Sequence, residues 1–154
     1  MGQERPETLV FEVGGRRYGL ASFEVVELVR VVAVVPLPAA PGWVEGVVNL
    51  RGRVVPVIDL RDRLGLPAKA VELSDQLLVA RGRNFPVAVR IDRALDLGRP
   101  EVGPGRVAML DGGGLAPVLD VGGLLTGDEW VELGRVLSGA GGGPAPGAGR
   151  GGAA

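Results

Sequence analysis

The amino-acid sequence predicts a mainly β protein made of two small β-units packed together, and three observations support this. Valine dominates the body of the chain, and its branched Cβ favours strands. Short apolar runs alternate with turn signals at the spacing typical of small barrels. The segment 54–60 (VVPVIDL) is echoed by 115–121 (LAPVLDV), each behind a glycine turn. Two related halves of about 60 residues explain this repeat better than one sheet.

The strands follow from apolar runs between turns. The pair Gly14-Gly15 predicts a tight turn between the first two strands, and the loop 81–84 predicts a later hairpin. Proline inside both copies of the repeat indicates a barrel edge or a bulge. A looser echo links 26–28 (VEL) to 95–97 (LDL). The predicted strands are 8–13, 17–20, 25–35, 47–50, 54–58, 76–80, 85–91, 94–97, 106–110 and 115–119.

Only two helices are predicted. The segment 59–65 is a short helix that Asp59 caps and Gly65 ends. The segment 126–137 begins with Thr126 and Glu129 at capping-box spacing and carries an apolar face. Residues 138–154 are almost entirely glycine, alanine and proline, which predicts a flexible tail.

The composition excludes most catalytic chemistry. The 154 residues contain no cysteine and no histidine, so disulfides, thiolate or imidazole metal sites and Ser-His triads are excluded. The single lysine, Lys69, does not follow a phosphate-binding glycine loop. We therefore expect no cofactor. The net charge of −1 and the scattered aromatics argue against nucleic acid. The polar first residues and the short apolar run 31–37 predict a soluble cytoplasmic protein without membrane insertion.

Two groups of side chains could carry function. Asp59, Asp92 and Asp120 could form an acid–base set, but the equivalent places of Asp59 and Asp120 in the repeat favour helix capping. An enzymatic or small-ligand-binding barrel is therefore the least favoured interpretation. Arg51 lies in a tight turn between two apolar strands. It could bind a carboxylate of a partner, or pair internally with Glu27 or Glu45.

The segment 43–60 (WVEGVVNLRGRVVPVIDL) resembles the central stretch of the CheW family of chemotaxis coupling proteins. The resemblance continues on both sides, through the opening hairpin at 11–20, the stretch 25–28 and the link 36–38. In the second half, 89–97 resembles the family's second strand pair. The resemblance covers about residues 8–137.

This resemblance implies two small SH3-like β-barrels, about 8–66 and 75–125, followed by the helix 126–137. It implies an adaptor rather than an enzyme, which bridges the regulatory domain of a CheA-type histidine kinase to the cytoplasmic tip of chemoreceptors. The receptor hairpin docks in the groove between the barrels. The kinase contacts the end of the first barrel, at residues that the resemblance does not assign. Carried onto this chain, the receptor-facing residues are Val25, Glu27, Gly46 and Arg51.

One departure from the family concerns the second barrel. Only eleven residues separate Leu97 from Met109, so we expect this barrel to be abbreviated by a strand or by its loops. In the family that barrel also joins kinase and coupling protein into rings. The departure keeps an alternative open, in which a divergent module of a pilus-motility or developmental pathway binds the kinase without coupling receptors.

Overall fold

The computed structural model describes residues 5–139, and residues 140–154 of the predicted tail lie outside them. Within the described residues the chain forms eleven strands and two α-helices. Three 3-10 helices connect them, at Ser22–Glu24, Asp111–Gly113 and Val121–Leu124. The strands are β1 (Thr8–Val13), β2 (Arg16–Ala21), β3 (Val25–Arg30), β4 (Val44–Leu50), β5 (Arg53–Ile58), β6 (Gln76–Arg81), β7 (Pro86–Ile91), β8 (Arg93–Gly98), β9 (Glu101–Gly103), β10 (Val107–Met109) and β11 (Leu115–Leu119), and the helices are α1 (Leu60–Leu64) and α2 (Gly127–Leu137).

The mainly β class and both predicted helices are confirmed. The side chain of Asp59 accepts a hydrogen bond from the amide of Asp62 at the start of α1, and Gly65 ends that helix with a φ of 71°. Thr126 and Glu129 form the predicted capping box of α2. The strand predicted at 25–35 is shorter than expected, because β3 ends at Arg30. Strand β9 was not predicted, because three residues beside a proline give no readable alternation.

The strands form two sheets that fit the description of SH3-like barrels. The six-stranded sheet has the order β8-β1-β2-β11-β10-β9, and the five-stranded sheet has the order β3-β6-β7-β5-β4. Each sheet therefore draws strands from both halves of the chain. The five-stranded barrel is formed by β3–β7, which lie in the chain between β2 and β8 of the six-stranded barrel. The predicted segments 8–66 and 75–125 therefore do not coincide with the two barrels. Apolar runs locate strands along the sequence, but long-range pairing decides which strands share a sheet.

The sequence repeat occupies equivalent places in the two sheets. Val57 and Ile58 of β5 pair in parallel with Ala88 and Val89 of β7. Val118 and Leu119 of β11 pair in the same manner with Gly19 and Leu20 of β2. The barrels are thus circularly permuted copies, in which β3-β4-β5-β6-β7 corresponds to β8-β10-β11-β1-β2.

The prolines of the repeat do not mark edges, since β5 and β11 both have neighbours on two sides. Pro56 is paired with Val47, whose N–H and carbonyl both bond to Val35. The nitrogen of Pro56 therefore faces β7, where the parallel ladder begins only at Val57. A missing N–H costs nothing at that position.

The largest core lies between the two sheets and receives both α-helices. It contains Phe11 and Tyr18 from one sheet, Ile58 and Ile91 from the other, and helix residues that include Leu60, Trp130 and Leu133. A second apolar cluster fills the five-stranded barrel, and its buried members are Val48, Val55, Val57, Leu77, Val79 and Ala88.

The interior of the six-stranded barrel is built from smaller side chains. At the positions equivalent to Leu77, Val55 and Ala88 it has Thr8, Ala116 and Gly19. A Cβ on Gly19 would lie 3.0 Å from Cγ2 of Thr8, so this interior is already full. The expected abbreviation therefore takes the form of a narrow interior and two three-residue strands, and no strand is lost.

A buried ion-pair network closes one end of the five-stranded barrel. Arg90 of β7 donates to Asp75 at 3.0 Å, to Glu45 at 3.2 Å and to the carbonyl of Lys69 at 2.9 Å. The side chains of Arg90 and Asp75 are only 8% and 2% exposed. Burial raises the pKa of Glu45, and the charge of Arg90 opposes that rise.

Removing Arg90 should be strongly destabilising, because two buried carboxylates would lose their cation. We expect Arg90→Ala to lower the free energy of unfolding by about 3 kcal/mol or more. Arg93→Ala is the matched control, because Arg93 forms an exposed ion pair with Glu12. That control should cost less than about 1 kcal/mol. Urea unfolding of both variants measures the difference, and equal losses would contradict the assignment.

Candidate interaction groove

A groove of about 630 Å³ opens at the end of the five-stranded barrel opposite the buried ion-pair network. Its walls combine an apolar surface with charged side chains at the rim. All of its lining residues belong to β3–β7 and their turns: Val26, Glu27, Leu50, Arg51, Arg53, Val55, Val79, Arg81, Gly82, Phe85 and Pro86.

The sequence-predicted residues Glu27 and Arg51 meet at the rim of this groove. Both terminal nitrogens of Arg51 donate to the carboxylate of Glu27, at 2.7 and 2.8 Å. This pair links β3 at one edge of the sheet to the turn that follows β4 at the other edge. The internal pairing that the sequence left open is therefore with Glu27, since Glu45 pairs with Arg90 instead.

The pair is held in place yet open to solvent. The side chain of Arg51 is 77% exposed, whereas that of Glu27 is 25% exposed. The turn is fixed from below, because the amide of Gly52 donates to the Asn49 side chain at 2.8 Å. The hydrogen bond from Arg51 lowers the pKa of Glu27. Glu27 is thus a fixed carboxylate and Arg51 an accessible, oriented cation.

A β-bulge decides which residues of β3 face the groove. The register shifts between Val25, which pairs with Ala80, and Glu27, which pairs with Val79. Val26 is the extra residue, and it lines the groove together with Glu27. Val25 packs against the core between the sheets and is not a lining residue.

Gly46 is buried in the described structure. A Cβ on this residue would lie 2.3 Å from the carbonyl oxygen of Val35, so the segment after β3 already occupies the space above it. Its φ of 152° adds a backbone reason for glycine. In this structure the close approach at Gly46 is made by the chain's own backbone, and the contact of Gly46 with a receptor stays a prediction.

The three predicted carboxylates have separate surroundings and do not converge. Asp59 caps α1. Asp92 accepts from Arg61 and from the amide of Gly14, which ties α1 to the β1–β2 turn. Asp120 does not cap the helix that follows it, contrary to the prediction.

Glu24 takes over the capping role at the start of the 3-10 helix Val121–Leu124, by accepting from the amide of Val121. Burial raises the pKa of Glu24, and the hydrogen bond from Val121 opposes that rise. Across residues 5–139, no group of three or more acidic side chains has a geometry that could hold a metal ion.

A family model described as CheW-like domain matches residues 7–104, more than half of the chain. The chain belongs to the CheW-like domain family. The match spans both residues of the Glu27–Arg51 pair and the whole of the five-stranded sheet.

Individual relatives agree with this assignment. The chain is 36% identical over 78 residues to the chemotaxis protein CheW of Treponema pallidum, which covers 51% of this chain and 46% of the relative. It is 34% identical over 99 residues to protein FrzA of Myxococcus xanthus, which covers 63% of this chain and 62% of the relative. The chain thus spans only about half to two thirds of these relatives.

The solved structure titled scaffolding protein TtCheW, from Thermoanaerobacter tengcongensis, has the same fold. It superposes with a TM-score of 0.70 at 23% identity, over 78% of this chain and 92% of that one. Among residues 5–139, no helix of this CheW-like protein is long and apolar enough to cross a membrane.

Sequence reasoning missed several lining residues, notably Val26, Arg81 and Phe85. The alternation of β3 predicts opposite faces for Val26 and Glu27, and only the bulge brings both to the groove. Arg81 and Phe85 come from the β6–β7 turn, which the sequence identified as a hairpin but could not place beside β3.

A side chain at Gly46 should destabilise the fold, because Val35 would have to move away from it. We expect Gly46→Ala to lower the free energy of unfolding by about 1–3 kcal/mol. Gly42→Ala is the matched control, since a Cβ there would meet nothing within 4 Å. Thermal unfolding compares the two variants, and a Gly46→Ala protein as stable as the control would refute this explanation.

The ion pair predicts a measurable titration. Arg51→Ala should return the pKa of Glu27 towards its ordinary value of 4.5, because the hydrogen bond that lowers it is lost. A carboxylate with a lowered folded-state pKa stabilises the fold above its unfolded pKa, and this is lost as the pH falls through the folded pKa. As the pH falls through the range in which Glu27 becomes protonated, the free energy of unfolding should therefore decrease less in Arg51→Ala than in the parent protein.

An NMR titration of the Glu27 side-chain carboxyl checks this directly. Arg93→Ala removes an exposed arginine from the other sheet and should leave the Glu27 titration unchanged. The same Glu27 pKa in Arg51→Ala and in the parent protein would show that the pair does not form in solution.

Proposed function

We propose that this protein is a signal-transduction adaptor that couples chemoreceptors to a CheA-type histidine kinase in the cytoplasm, without catalysis, cofactor or metal. Membership of the CheW-like domain family supports the class. The fold shared with a protein titled scaffolding protein also supports it. The mechanism is geometric: one surface binds the cytoplasmic tip of the receptor and another binds the regulatory domain of the kinase.

The observation that carries the receptor-binding part is the conformation of Arg51. It has a φ of 55°, a left-handed conformation that disfavours residues other than glycine. The equivalent position in the repeat is Gly112, with a φ of 83°. An arginine in a conformation that favours glycine, paired with a fixed carboxylate at the rim of a groove, supports a role for its side chain in binding.

The groove lies at one end of the five-stranded barrel, and not between the barrels as the resemblance implied, and it offers what an amphipathic receptor helix requires. Val26 and Phe85 present an apolar surface to the buried face of such a helix, and the buried Val55 lies beneath them. Arg51 can rotate from Glu27 to a carboxylate of the partner and bind it in a bidentate manner. Because Arg51 is largely exposed, this exchange requires little desolvation beyond that of the partner.

The four receptor-facing residues inferred from the resemblance then divide into two roles. Glu27 and Arg51 contact the receptor at the rim. Val25 and Gly46 support the site without lining the groove. Val25 precedes the bulge of β3, and Gly46 lets the segment 31–41 pass close over β4. The kinase contact belongs to a barrel end, and no individual residue is assigned to it.

Binding titrations of the full chain test the proposal. We expect the parent to bind both a receptor tip fragment and a kinase regulatory domain. Arg51→Ala should weaken receptor binding about 10-fold or more, because a charged contact is lost, and leave kinase binding unchanged. The exposed control Arg93→Ala should change neither affinity.

Two results would count against this assignment. Unchanged receptor affinity in Arg51→Ala would move the receptor site away from the groove. Failure of the parent to bind either partner would refute the adaptor function itself.

A second candidate function is a divergent module that binds the kinase without coupling receptors. Two observations support this second candidate: the narrow interior of the six-stranded barrel and the 34% identity to protein FrzA. Reconstitution with receptor and kinase separates the two candidates. Receptor-dependent kinase activation supports the coupling adaptor, whereas kinase binding without activation supports the divergent module.

A further inference from the structure

The turn between β6 and β7 is a wall shared by the groove and the C-terminal helix α2. Arg81, Gly82, Phe85 and Pro86 line the groove on one side of this turn. The other side rests on Trp130 of α2. A Cβ on Gly82 would lie 2.9 Å from Cζ3 and 3.0 Å from Cη2 of the indole ring. The ring therefore touches the backbone of the turn directly.

The contact continues on both sides of Gly82. The rings of Phe85 and Trp130 meet edge to face, with their centroids 5.8 Å apart. Phe85 also faces α2 at Gly134, where a Cβ would lie 3.5 Å from Cε2. The same phenylalanine that lines the groove is thus backed by the helix.

Trp130 is anchored away from the turn, so it can act as a fixed support. Its indole N–H donates to the carbonyl of Gly122 at 2.9 Å, and its side chain is buried. The start of α2 is bound to α1, because Arg63 donates to both carboxylate oxygens of Glu129 at 2.8 and 3.0 Å. The guanidinium of Arg63 also stacks over Trp43 at 5.0 Å.

The supported turn is linked to the strand that carries Glu27. Nε of Arg81 donates to the carbonyl of Phe23 at 2.9 Å, just before β3 begins at Val25. A movement of the turn is therefore transmitted towards β3 and the rim of the groove.

We propose that Trp130 is a positioning residue for the groove, and that the seating of α2 and the binding of a receptor helix in the groove stabilise each other. The mutual stabilisation of α2 and a bound receptor helix rests on the proposed receptor-binding function, whereas the positioning role of Trp130 does not. A helix that presses on Phe85 holds the turn against Trp130, and a seated Trp130 offers that helix a preformed wall. Such coupling is reciprocal in free energy.

Trp130→Phe is the test variant, because Trp130→Ala would leave a large cavity in the core. Phenylalanine keeps the buried apolar ring, but it lacks the indole atoms that reach Gly82. Val131→Ala is the matched control, because Val131 is the next residue on α2 and is 60% exposed. Circular dichroism and urea unfolding establish that both variants fold.

The first measurement needs no partner. Hydrogen exchange of the amides from Gly82 to Phe85 should be faster in Trp130→Phe than in the parent and in Val131→Ala. The amides of β10, a strand of the six-stranded sheet, should serve as an unchanged internal reference. Unchanged exchange in the turn would overturn the positioning role.

The second measurement is a titration with the receptor tip fragment. We expect Trp130→Phe to bind it about 5- to 10-fold more weakly, and the kinase regulatory domain as tightly as the parent does. Added receptor fragment should also slow exchange in α2 of the parent. Unchanged receptor affinity in Trp130→Phe, while Arg51→Ala weakens it, would overturn the coupling. If the parent does not bind the fragment, the proposed function fails, and the exchange measurement alone then supports or overturns the positioning role.

Discussion

Two short parallel ladders hold the whole molecule together. Each contains only two paired positions, at Val57–Ile58 against β7 and at Val118–Leu119 against β2. They join a hairpin from one part of the chain to strands from another, and so complete both barrels. The β1–β2 hairpin, at the start of the described chain, pairs with β11, which is its last strand. The six-stranded barrel is therefore not a contiguous segment, because β3–β7 lie between β2 and β8 in the chain, and the cost of closing this long loop is met by the core between the sheets.

The groove depends on this arrangement, because the interior of the five-stranded barrel is layered along its axis. The Arg90 network closes one end, six buried aliphatic residues fill the middle, and the Glu27–Arg51 pair stands at the open end. The two ends differ in a way that matters for function. A buried network cannot lose a member without a large penalty, whereas an exposed pair adds little to stability. The Glu27–Arg51 pair adds little to stability, so Arg51 can leave Glu27 for a carboxylate of a partner without unfolding the protein.

Local features of this fold were readable from the sequence, and long-range ones were not. The caps of α1 and α2 and the first hairpin depend on neighbouring residues, so they were predicted correctly. The insertion of β3–β7 between β2 and β8 and the bulge at Val26 depend on strands far apart in the chain, whereas the burial of Gly46 depends on the path of the segment that follows β3. Asp120 shows the same limit, because Glu24 reaches its helix from another part of the chain. Within the candidate site, the sequence supplied Glu27 and Arg51 but not the wall formed by Phe85.

The repeat shows that the fold alone does not make the site. The six-stranded barrel has an equivalent hollow of about 520 Å³, with Leu95 and Asp96 at the places of Val26 and Glu27. A bulge again brings both residues to the hollow. At the place of Arg51, however, stands Gly112, and within residues 5–139 Asp96 forms no ion pair. One architecture thus provides two hollows, and among the described residues only the hollow of the five-stranded barrel has an arginine at the turn paired with the acidic residue beside the bulge. Because the fold provides both hollows, the recognition that we propose depends on the side chains that line the groove, Arg51 among them, and not on the barrel itself.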